Sequence, residues 1–247
     1  MSGFPNGLVL EIAANSHLSA LAAQAGGADR IELCENLGEG GTTPSYGTLA
    51  MTRDKLSIPI FVLIRPRAGD FLYDARETEV MLHDIAACRQ LGCDGVVIGA
   101  LDSAGTIDLP LCRELVAAAS GMQVTFHRAF DAVRDPVQAL ESIIALGCHR
   151  VLTSGAQADA VRGAAAIAGF VRQAADRLSI LAGAGLTPGN VSGLIEATGV
   201  SEVHASAKAR RPSAMAYRNP ALTGLEYDRQ ETDPAIVAAF RQALATR

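Results

Sequence analysis

Short runs of β-branched and other apolar residues alternate along the chain with longer Ala- and Leu-rich stretches whose apolar positions recur at helical spacing. Each short run is almost continuously apolar, which is typical of a parallel strand covered on both faces. The pattern therefore predicts eight strands, with a helix between each strand and the next. The predicted strands are Leu8–Ile12, Arg30–Cys34, Ile58–Ile64, Gly95–Gly99, Gln123–His127, Arg150–Ser154, Ile180–Gly183 and Glu202–Ser206.

Helix start and stop signals lie between these strands. Ser16 can cap the first helix, and Asp135-Pro136 supplies an N-cap followed by a first-turn proline. Gly92 and Gly147 stand just before the next strand, where a left-handed residue ends a helix. Asp233-Pro234 opens a final amphipathic helix.

Eight strands alternating with eight helices over residues 1–247 predict an α/β fold, a single-domain (β/α)8 TIM barrel. A doubly wound sheet is the alternative, but it more usually carries a glycine fingerprint after the first strand, where this chain has Ala13-Ala14-Asn15. The segment at about 207–231, after strand eight, is too long for a simple connecting loop, and we expect a lid or an oligomer arm there.

Composition narrows the class of protein. Charged residues make up 19% of the 247 residues, below the roughly 25% of typical soluble domains, so we expect a homo-oligomer that hides part of the surface. The net charge is −5 and no basic stripe stands out, which argues against a nucleic-acid or membrane partner. The apolar runs are strand-sized, and no secretion signal is visible at the N-terminus. Five widely spread cysteines predict no disulfide framework, and together these features predict a cytoplasmic protein.

Polar residues gather where the predicted strands end, whereas most strand starts look bland. In a (β/α)8 barrel the C-terminal strand ends form the functional face, here called the mouth. The sequence thus predicts a site at the mouth. The candidate residues are Glu11, Glu32, Cys34, Arg65, Arg67, His127, Arg128, Thr153, Ser154, Gly155, Gly183, Gly185, His204 and Ser206.

Acid–base chemistry is one use for these groups. Glu11 or Glu32 can serve as a base and His127 as a proton donor, while Arg65 and Arg67 clamp an anion. The structural alternative is that Glu32 and Arg65 form an ion pair inside the barrel.

The glycine-containing strand ends suggest an anion site. Gly183 and Gly185 lead into Leu186-Thr187-Pro188, which we expect to start a helix whose N–H groups favour negative charge. Thr153-Ser154-Gly155 adds hydroxyls, and Ser206 and Arg128 add donors. The alternative is a tight turn that packs a helix on its strand.

A metal site is the third possibility. Cys34 with His127 and His204 would form a soft sulfur and nitrogen site suited to copper or zinc. The other four cysteines are expected to be buried apolar residues.

Eight further motifs follow one another along the chain: Ala28–Cys34, Glu39–Ser45, Arg65–Phe71, Val124–Asp131, Arg150–Gly155, Ala182–Gly185, Glu202–His204 and Tyr217–Asn219. In this order they resemble the CutC family, over about residues 8 to 220. The resemblance implies a cytoplasmic oligomeric (β/α)8 barrel with a role in copper homeostasis and Cu(I) binding, without a settled mechanism. Many members carry cysteine just after the first-strand Glu, where this chain has Ala13 and Ala14, and some carry it at the position of Leu72. Copper binding in this chain is therefore expected to use Cys34 as its one thiol ligand, assisted by histidines.

Three functional hypotheses follow. The first is a CutC-like copper-binding or copper-handling protein. The second is an enzyme that acts at the mouth on a small anionic or phosphorylated metabolite. The third is a scaffold whose mouth residues only stabilise the barrel.

Overall fold

The computed structural model describes residues 7–221, 223–224 and 226–245. Its eight parallel strands pair in sequence order from β1 (Val9–Ala14) to β8 (Glu202–Ala205), and β8 pairs with β1 to close the barrel. The (β/α)8 TIM barrel is thus confirmed, because a doubly wound sheet would leave two open edges. Between β1 and β8 lie β2 (Arg30–Leu33), β3 (Ile60–Leu63), β4 (Gly95–Ile98), β5 (Gln123–Phe126), β6 (Arg150–Thr153) and β7 (Ser179–Gly183).

Helices alternate with these strands, and two 3-10 helices, Leu37–Glu39 and Arg128–Ala132, follow β2 and β5. The assignment of residues 1–247 to one domain, of which 1–6 lie outside the described residues, stays a prediction. The helices are α1 (His17–Ala25), α2 (Tyr46–Lys55), α3 (Ala75–Gln90), α4 (Leu109–Ala118), α5 (Pro136–Ala145), α6 (Ala164–Ala174), α7 (Val191–Thr198) and α8 (Pro234–Ala245).

The predicted helix boundaries have the expected physical basis. The Ser16 hydroxyl accepts a hydrogen bond from the Ser19 N–H at 3.1 Å, which satisfies one of the free donors at the start of α1. The Asp135 carboxylate does the same for α5. Gly92 and Gly147 have φ values of +71° and +80°, so both adopt the left-handed conformation that ends a helix.

Successive strand residues face opposite sides of the barrel wall. Ile12, Ile31 and Ile98 are fully buried in the main apolar cluster between the strands and the surrounding helices. The alternate positions face the barrel interior, and there the chain places charged groups, among them Glu11 and Glu32. Parallel strands need an apolar outer face for their helices, so the inner face is where this fold can hold chemistry.

The segment predicted as a long loop at about 207–231 contains an antiparallel ribbon of β9 (Lys208–Arg211) and β10 (Arg229–Thr232). Arg210 and Arg218 both pair with Asp228, at 2.8 and 3.3 Å, and hold the connection between the two strands. None of the described helices has the length and apolar character that a membrane span requires.

Candidate functional site

A cavity of about 1290 Å³ opens at the mouth, and it is called the mouth cavity below. Its wall combines the C-terminal ends of the strands with the first residues of the ribbon and one face of α8. The predicted site residues on this wall are Glu32, Arg65, His127, Arg128, Gly185, His204 and Ser206.

Glu11 lies beneath this wall in an ion-pair network. Its carboxylate is fully buried, accepts a hydrogen bond from Arg30 Nε at 2.5 Å and lies 2.8 Å from His204 Nδ1. Burial alone would raise the pKa of Glu11, but the charge of Arg30 and the contact with His204 outweigh it and lower the pKa to about 2. Glu11 is therefore ionised and engaged on both oxygens, which does not suit the role of base considered for it.

Below Glu11, the network continues through residues that sequence reasoning missed. Arg30 also contacts Glu202 at 2.5 Å, and Arg150 contacts the same Glu202 oxygen at 2.9 Å. Both guanidinium groups lie over the Phe61 ring, 5.3 and 4.9 Å from its centroid. These three charged residues each begin a strand, so they are exceptions to the expectation that most strand starts carry no functional polar group. The sequence contained a signal for these contacts, because side chains an even number of positions apart face the same side of a strand. Arg30 and Glu202 lie two positions before Glu32 and His204, and Arg150 lies four positions before Ser154.

Glu32 is the acid on the cavity wall with an unsatisfied atom. Its Oε2 is buried and has no hydrogen-bond partner in the described part of the chain. Burial raises the pKa of Glu32 to about 7, against the opposing charge of His204. Glu32 is therefore a carboxyl group that can gain or lose a proton near neutral pH.

His127 presents the second unsatisfied atom. Its Nδ1 accepts a hydrogen bond from the Ala129 N–H at 3.1 Å, and burial, with the charge of Arg65, lowers its pKa to about 3. A neutral imidazole that accepts at Nδ1 carries its proton on Nε2. That Nε2 is buried without a partner among the described residues. Gly99 leaves room for the ring, because a Cβ there would lie 2.5 Å from Nδ1.

His204 differs from His127 in the direction in which its pKa is shifted. Burial alone would lower its pKa, but the Glu11 hydrogen bond and the negative charges of Glu32 and Glu11 raise it. One ligand-type atom from each of these three residues lies within 4.8 Å of the others. Both Glu11 oxygens are already engaged, Oε2 by Arg30 and Oε1 by His204, so a cation placed there would have to compete with these contacts.

The predicted arginine clamp is not assembled. Arg65 donates to the carbonyls of Glu39, Gly41 and Gly69 at 2.6 to 2.9 Å, and its Nε has no partner among the described residues. The alternative Glu32–Arg65 ion pair is also not formed in this part of the chain. Arg67 does not line the cavity, and its guanidinium contacts Glu77 at 2.5 Å. Strand β3 ends at Leu63, so the chain has already left the barrel wall at Arg67.

The loop after β6 already holds an internal anion. Asp131 accepts hydrogen bonds from the Thr153 hydroxyl at 2.5 Å, from the N–H and hydroxyl of Ser154, and from the Ala156 N–H at 3.0 Å. Arg128 contacts the same carboxylate at 2.8 Å. The donors expected to bind an external anion are thus used by Asp131. Its signal was its place in the quoted Val124–Asp131 motif, four residues after His127.

The loop after β7 differs from the expected helix start. Ala184 and Gly185 line the cavity with φ values of +81° and +72°, whereas Gly183 does not line it. Helix α7 begins at Val191, not at Leu186. Asn190 explains the delay, because its side chain accepts from the Thr187 N–H at 2.8 Å and donates to the Gly185 carbonyl. The expectation of a helix N-terminus directly after Gly185 is therefore wrong.

The structure does not bring the predicted metal set together. Cys34 is fully buried in a small apolar cluster with Phe61, Leu63 and Val97, and it does not line the cavity. Burial and the nearby Glu32 charge raise the pKa of its thiol. Since Cu(I) prefers thiolate and thioether ligands, this arrangement does not fit a Cu(I) centre formed by Cys34, His127 and His204.

Comparison with known proteins shows close similarity to one family. The CutC family model matches residues 8–209. A protein of Chromobacterium violaceum, named family protein CutC, is 54% identical over 241 residues, which cover 96% of this chain and 98% of the relative. A protein of the same name from Xanthomonas campestris pv. campestris (strain B100) is 54% identical over 237 residues, which cover 96% and 99%.

Solved structures agree with these matches. The copper homeostasis protein CutC from Streptococcus agalactiae superposes with a TM-score of 0.78 at 32% identity and covers 81% of this chain and 98% of its own. Thiamine phosphate pyrophosphorylase from Pyrococcus furiosus reaches a TM-score of 0.62 at 14% identity, covering 98% and 97%. That second likeness shows the fold alone.

Proposed function

This chain belongs to the CutC family, and we propose that its mouth cavity is the active site of an enzyme that moves a proton on a small anionic carbonyl compound. The observation that carries the proposal is a pair of buried, unpartnered atoms, Glu32 Oε2 and His127 Nε2, in two residues that line the same cavity. Buried polar groups are normally satisfied, so two such atoms in residues of one cavity favour a ligand that supplies both partners.

Glu32 acts as the base. Its pKa of about 7 places the carboxylate and the acid at similar populations at neutral pH, where proton transfer in both directions is efficient. The surrounding wall is buried, so a carbon acid bound beside Oε2 meets little competing water.

His127 acts as the electrophile. Its Nε2–H donates to the carbonyl oxygen of the substrate, and this hydrogen bond strengthens as negative charge develops there during removal of the α proton. A neutral imidazole suits this role because it keeps its proton, and the Ala129 N–H on Nδ1 holds it in the required tautomer. The pairing of a glutamate base with a neutral histidine donor is a known solution for carbonyl enolisation.

Two cations on the cavity wall, Arg65 and Lys208, can hold an anionic substrate beside the acids Glu32, Glu39 and Asp131. Arg128 also lines the cavity, but it is paired with Asp131 at 2.8 Å. Asp233, also on the wall, is paired with Arg211 at 3.2 Å, so its charge is partly compensated. The anion is thus held by individual cationic side chains, since Asp131 already uses the donors of the β6 loop.

Proton exchange in D₂O tests this proposal. A panel of 2-hydroxy ketones and 2-keto acids is incubated with the protein, and loss of the α C–H signal is followed by proton NMR. We expect exchange with at least one compound, reduced about 10²–10⁴-fold in Glu32→Gln and about 10²–10³-fold in His127→Gln. Arg67→Gln, which lies off the cavity wall, is the matched control. Absence of exchange with every compound, or an unaltered rate in Glu32→Gln, would overturn the proposal.

Copper handling is the second candidate, and family membership together with the name of the Streptococcus agalactiae relative supports it. Because the cysteines of the described chain are all buried, we expect weak Cu(I) binding, of one ion or fewer per chain. Titration against a competing chelator, with Cys34→Ala and His204→Gln beside the unaltered protein, tests this. Tight binding of several ions would contradict this expectation. An affinity in both variants equal to that of the unaltered protein would exclude Cys34 and His204 as ligands.

We also propose that the protein is a cytoplasmic homo-oligomer. The exposed apolar side chains of Leu18 on α1 and of Tyr46 and Met51 on the adjacent α2 support association. Light scattering after gel filtration measures the mass, and a mass of one chain at micromolar concentration would contradict the proposal. Cell fractionation checks the location.

A further inference from the structure

We propose that the substrate carries a leaving group β to its carbonyl, and that His204 is the acid which protonates this group during an elimination. The inference rests on the proposed function and names its substrate class. The observation behind it is a second histidine on the same wall, which a simple enolisation by Glu32 and His127 does not use.

The geometry of His204 is that of a supported acid. Its Nδ1 lies 2.8 Å from Glu11 Oε1, and Glu11 is held in turn by Arg30 Nε at 2.5 Å. Since an ionised carboxylate can only accept hydrogen bonds, Nδ1 carries a hydrogen and donates a hydrogen bond to Glu11. This leaves Nε2 as the ring nitrogen that can release a proton to a ligand. A buried carboxylate that orients a histidine and stabilises its cation is the arrangement found in hydrolase triads.

The charges around His204 favour its protonated form. Glu11 and Glu32 are the acidic groups beside it, and Arg30, on the neighbouring strand β2, is the nearest opposing cation. The hydrogen bond to Glu11 and the two carboxyl groups together favour the imidazolium over the neutral ring. The wall thus offers three different functions: Glu32 accepts a proton, His127 donates a hydrogen bond without ionising, and His204 gives a proton away.

The elimination balances with these three groups alone. Glu32 takes the α proton while His127 Nε2–H stabilises the enolate oxygen. The electron pair of the enolate then forms the second bond of a double bond between the α and β carbons, and the β carbon–oxygen bond breaks. His204 Nε2 gives its proton to the departing oxygen, which leaves as water or as an alcohol. The products are an α,β-unsaturated carbonyl compound, protonated Glu32 and neutral His204.

The same network resets the site. Atoms of Glu32 and His204 lie within 4.8 Å of each other, a separation that one bridging water spans. The proton on Glu32 therefore returns to His204 after product release, and no external acid or base is consumed. An isomerase, in which one carboxylate both removes and returns the proton, has no need of this second group.

The experiment compares two leaving groups on one carbonyl framework, a 4-hydroxy and a 4-(4-nitrophenoxy) 2-keto acid, in which the leaving group lies β to the ketone carbonyl. Elimination is followed by product absorbance and α-proton exchange by NMR in D₂O, and the ratio of the two rates is measured. In His204→Gln we expect the ratio to fall about 100-fold for the hydroxy compound. It should fall less than about 5-fold for the nitrophenoxy compound, because a stable phenolate leaves without an acid.

Each outcome has a separate meaning. Equal falls for both leaving groups in His204→Gln, or exchange without elimination by the unaltered protein, would overturn the role of His204 and leave the proposed enolisation standing. Absence of exchange with both compounds would count against the proposed function itself. Arg67→Gln serves as control, and melting temperatures establish that each variant is folded.

Discussion

Glu32 and His127 show at the residue scale how one barrel interior shifts two side chains in opposite directions. Burial disfavours the charged form of both groups, so the pKa of the acid rises to about 7 and that of the base falls to about 3. Neither unsatisfied atom finds a partner among the described residues. The two groups therefore destabilise the fold slightly in exchange for reactivity, as functional residues often do.

Replacing Glu32 by Gln is expected to change the pH dependence of stability. The folded pKa of about 7 lies above the ordinary value of 4.5, so the unfolded chain loses this proton first and stability falls as pH rises between these values. Glu32→Gln removes this loss. As pH rises from 5 to 8, the free energy of unfolding of the variant should therefore increase by on the order of 2–3 kcal/mol relative to that of the unaltered protein. Urea unfolding at both pH values measures it, with exposed Glu39→Gln as control. An unchanged slope would contradict the raised pKa.

The His127 ring is expected to stay neutral from pH 8 down to pH 5. Its folded pKa of about 3 lies below the ordinary 6.5, so its contribution to stability is complete above about pH 6.5 and is lost as pH falls toward 3. Long-range ¹H–¹⁵N NMR should show the Nε2–H tautomer without titration, while exposed His83 serves as the internal reference. Titration near 6.5, or an Nδ1–H tautomer, would contradict the assignment.

At the scale of elements, a 3-10 helix and a strand end are joined by one carboxylate. Asp131 lies in the 3-10 helix after β5, yet its hydrogen-bond donors come from residues 153–156 after β6. A negative charge supplied by the chain itself thus satisfies the donors of this loop. Capping by Ser16 and Asp135, in contrast, involves only neighbours in the sequence.

Asp131→Asn is expected to lower the free energy of unfolding by about 2–4 kcal/mol. The amide group cannot accept from all the donors of the β6 loop, and hydrogen bonds to charged groups contribute about 1.5–3 kcal/mol each. Asp135→Asn is the matched control, since asparagine caps a helix about as well as aspartate. Denaturant unfolding measures both, and equal losses in the two variants would show that Asp131 does not organise this loop.

At the scale of the whole molecule, a buried charge network ties the barrel together from inside. Glu202 on β8 holds Arg30 on β2 and Arg150 on β6, and Glu11 on β1 completes the set. A buried ion pair contributes little compared with an apolar replacement, but removing one partner leaves an uncompensated charge. The network therefore serves to orient the strands and to support His204 through Glu11.

Glu202→Leu is expected to lower the free energy of unfolding by about 3–5 kcal/mol, because Arg150 is left buried without its partner. The double variant Arg150→Leu with Glu202→Leu should recover at least half of this loss, since Arg30 keeps Glu11. Urea unfolding of the three proteins decides the matter. If the double variant is as unstable as the single one, then packing and not charge explains the effect.

The sequence by itself determined the features that depend on near neighbours. The eight strands, the caps at Ser16 and Asp135, and the left-handed helix ends at Gly92 and Gly147 rest on periodicity and local hydrogen bonding, which a short window contains. The barrel follows from the count of these units, and the collection of polar side chains at one mouth follows from the parallel direction of its strands.

Only the tertiary structure decided which of those side chains pair with each other. The Glu11–His204 contact joins residues 193 positions apart, and it forms because β8 meets β1 when the barrel closes. Asp131, rather than a ligand, takes the donors of the β6 loop, and Cys34 is covered within an apolar cluster. Charge, tautomer and access to the cavity depend on these distant partners, and a pattern of neighbouring residues contains no record of them.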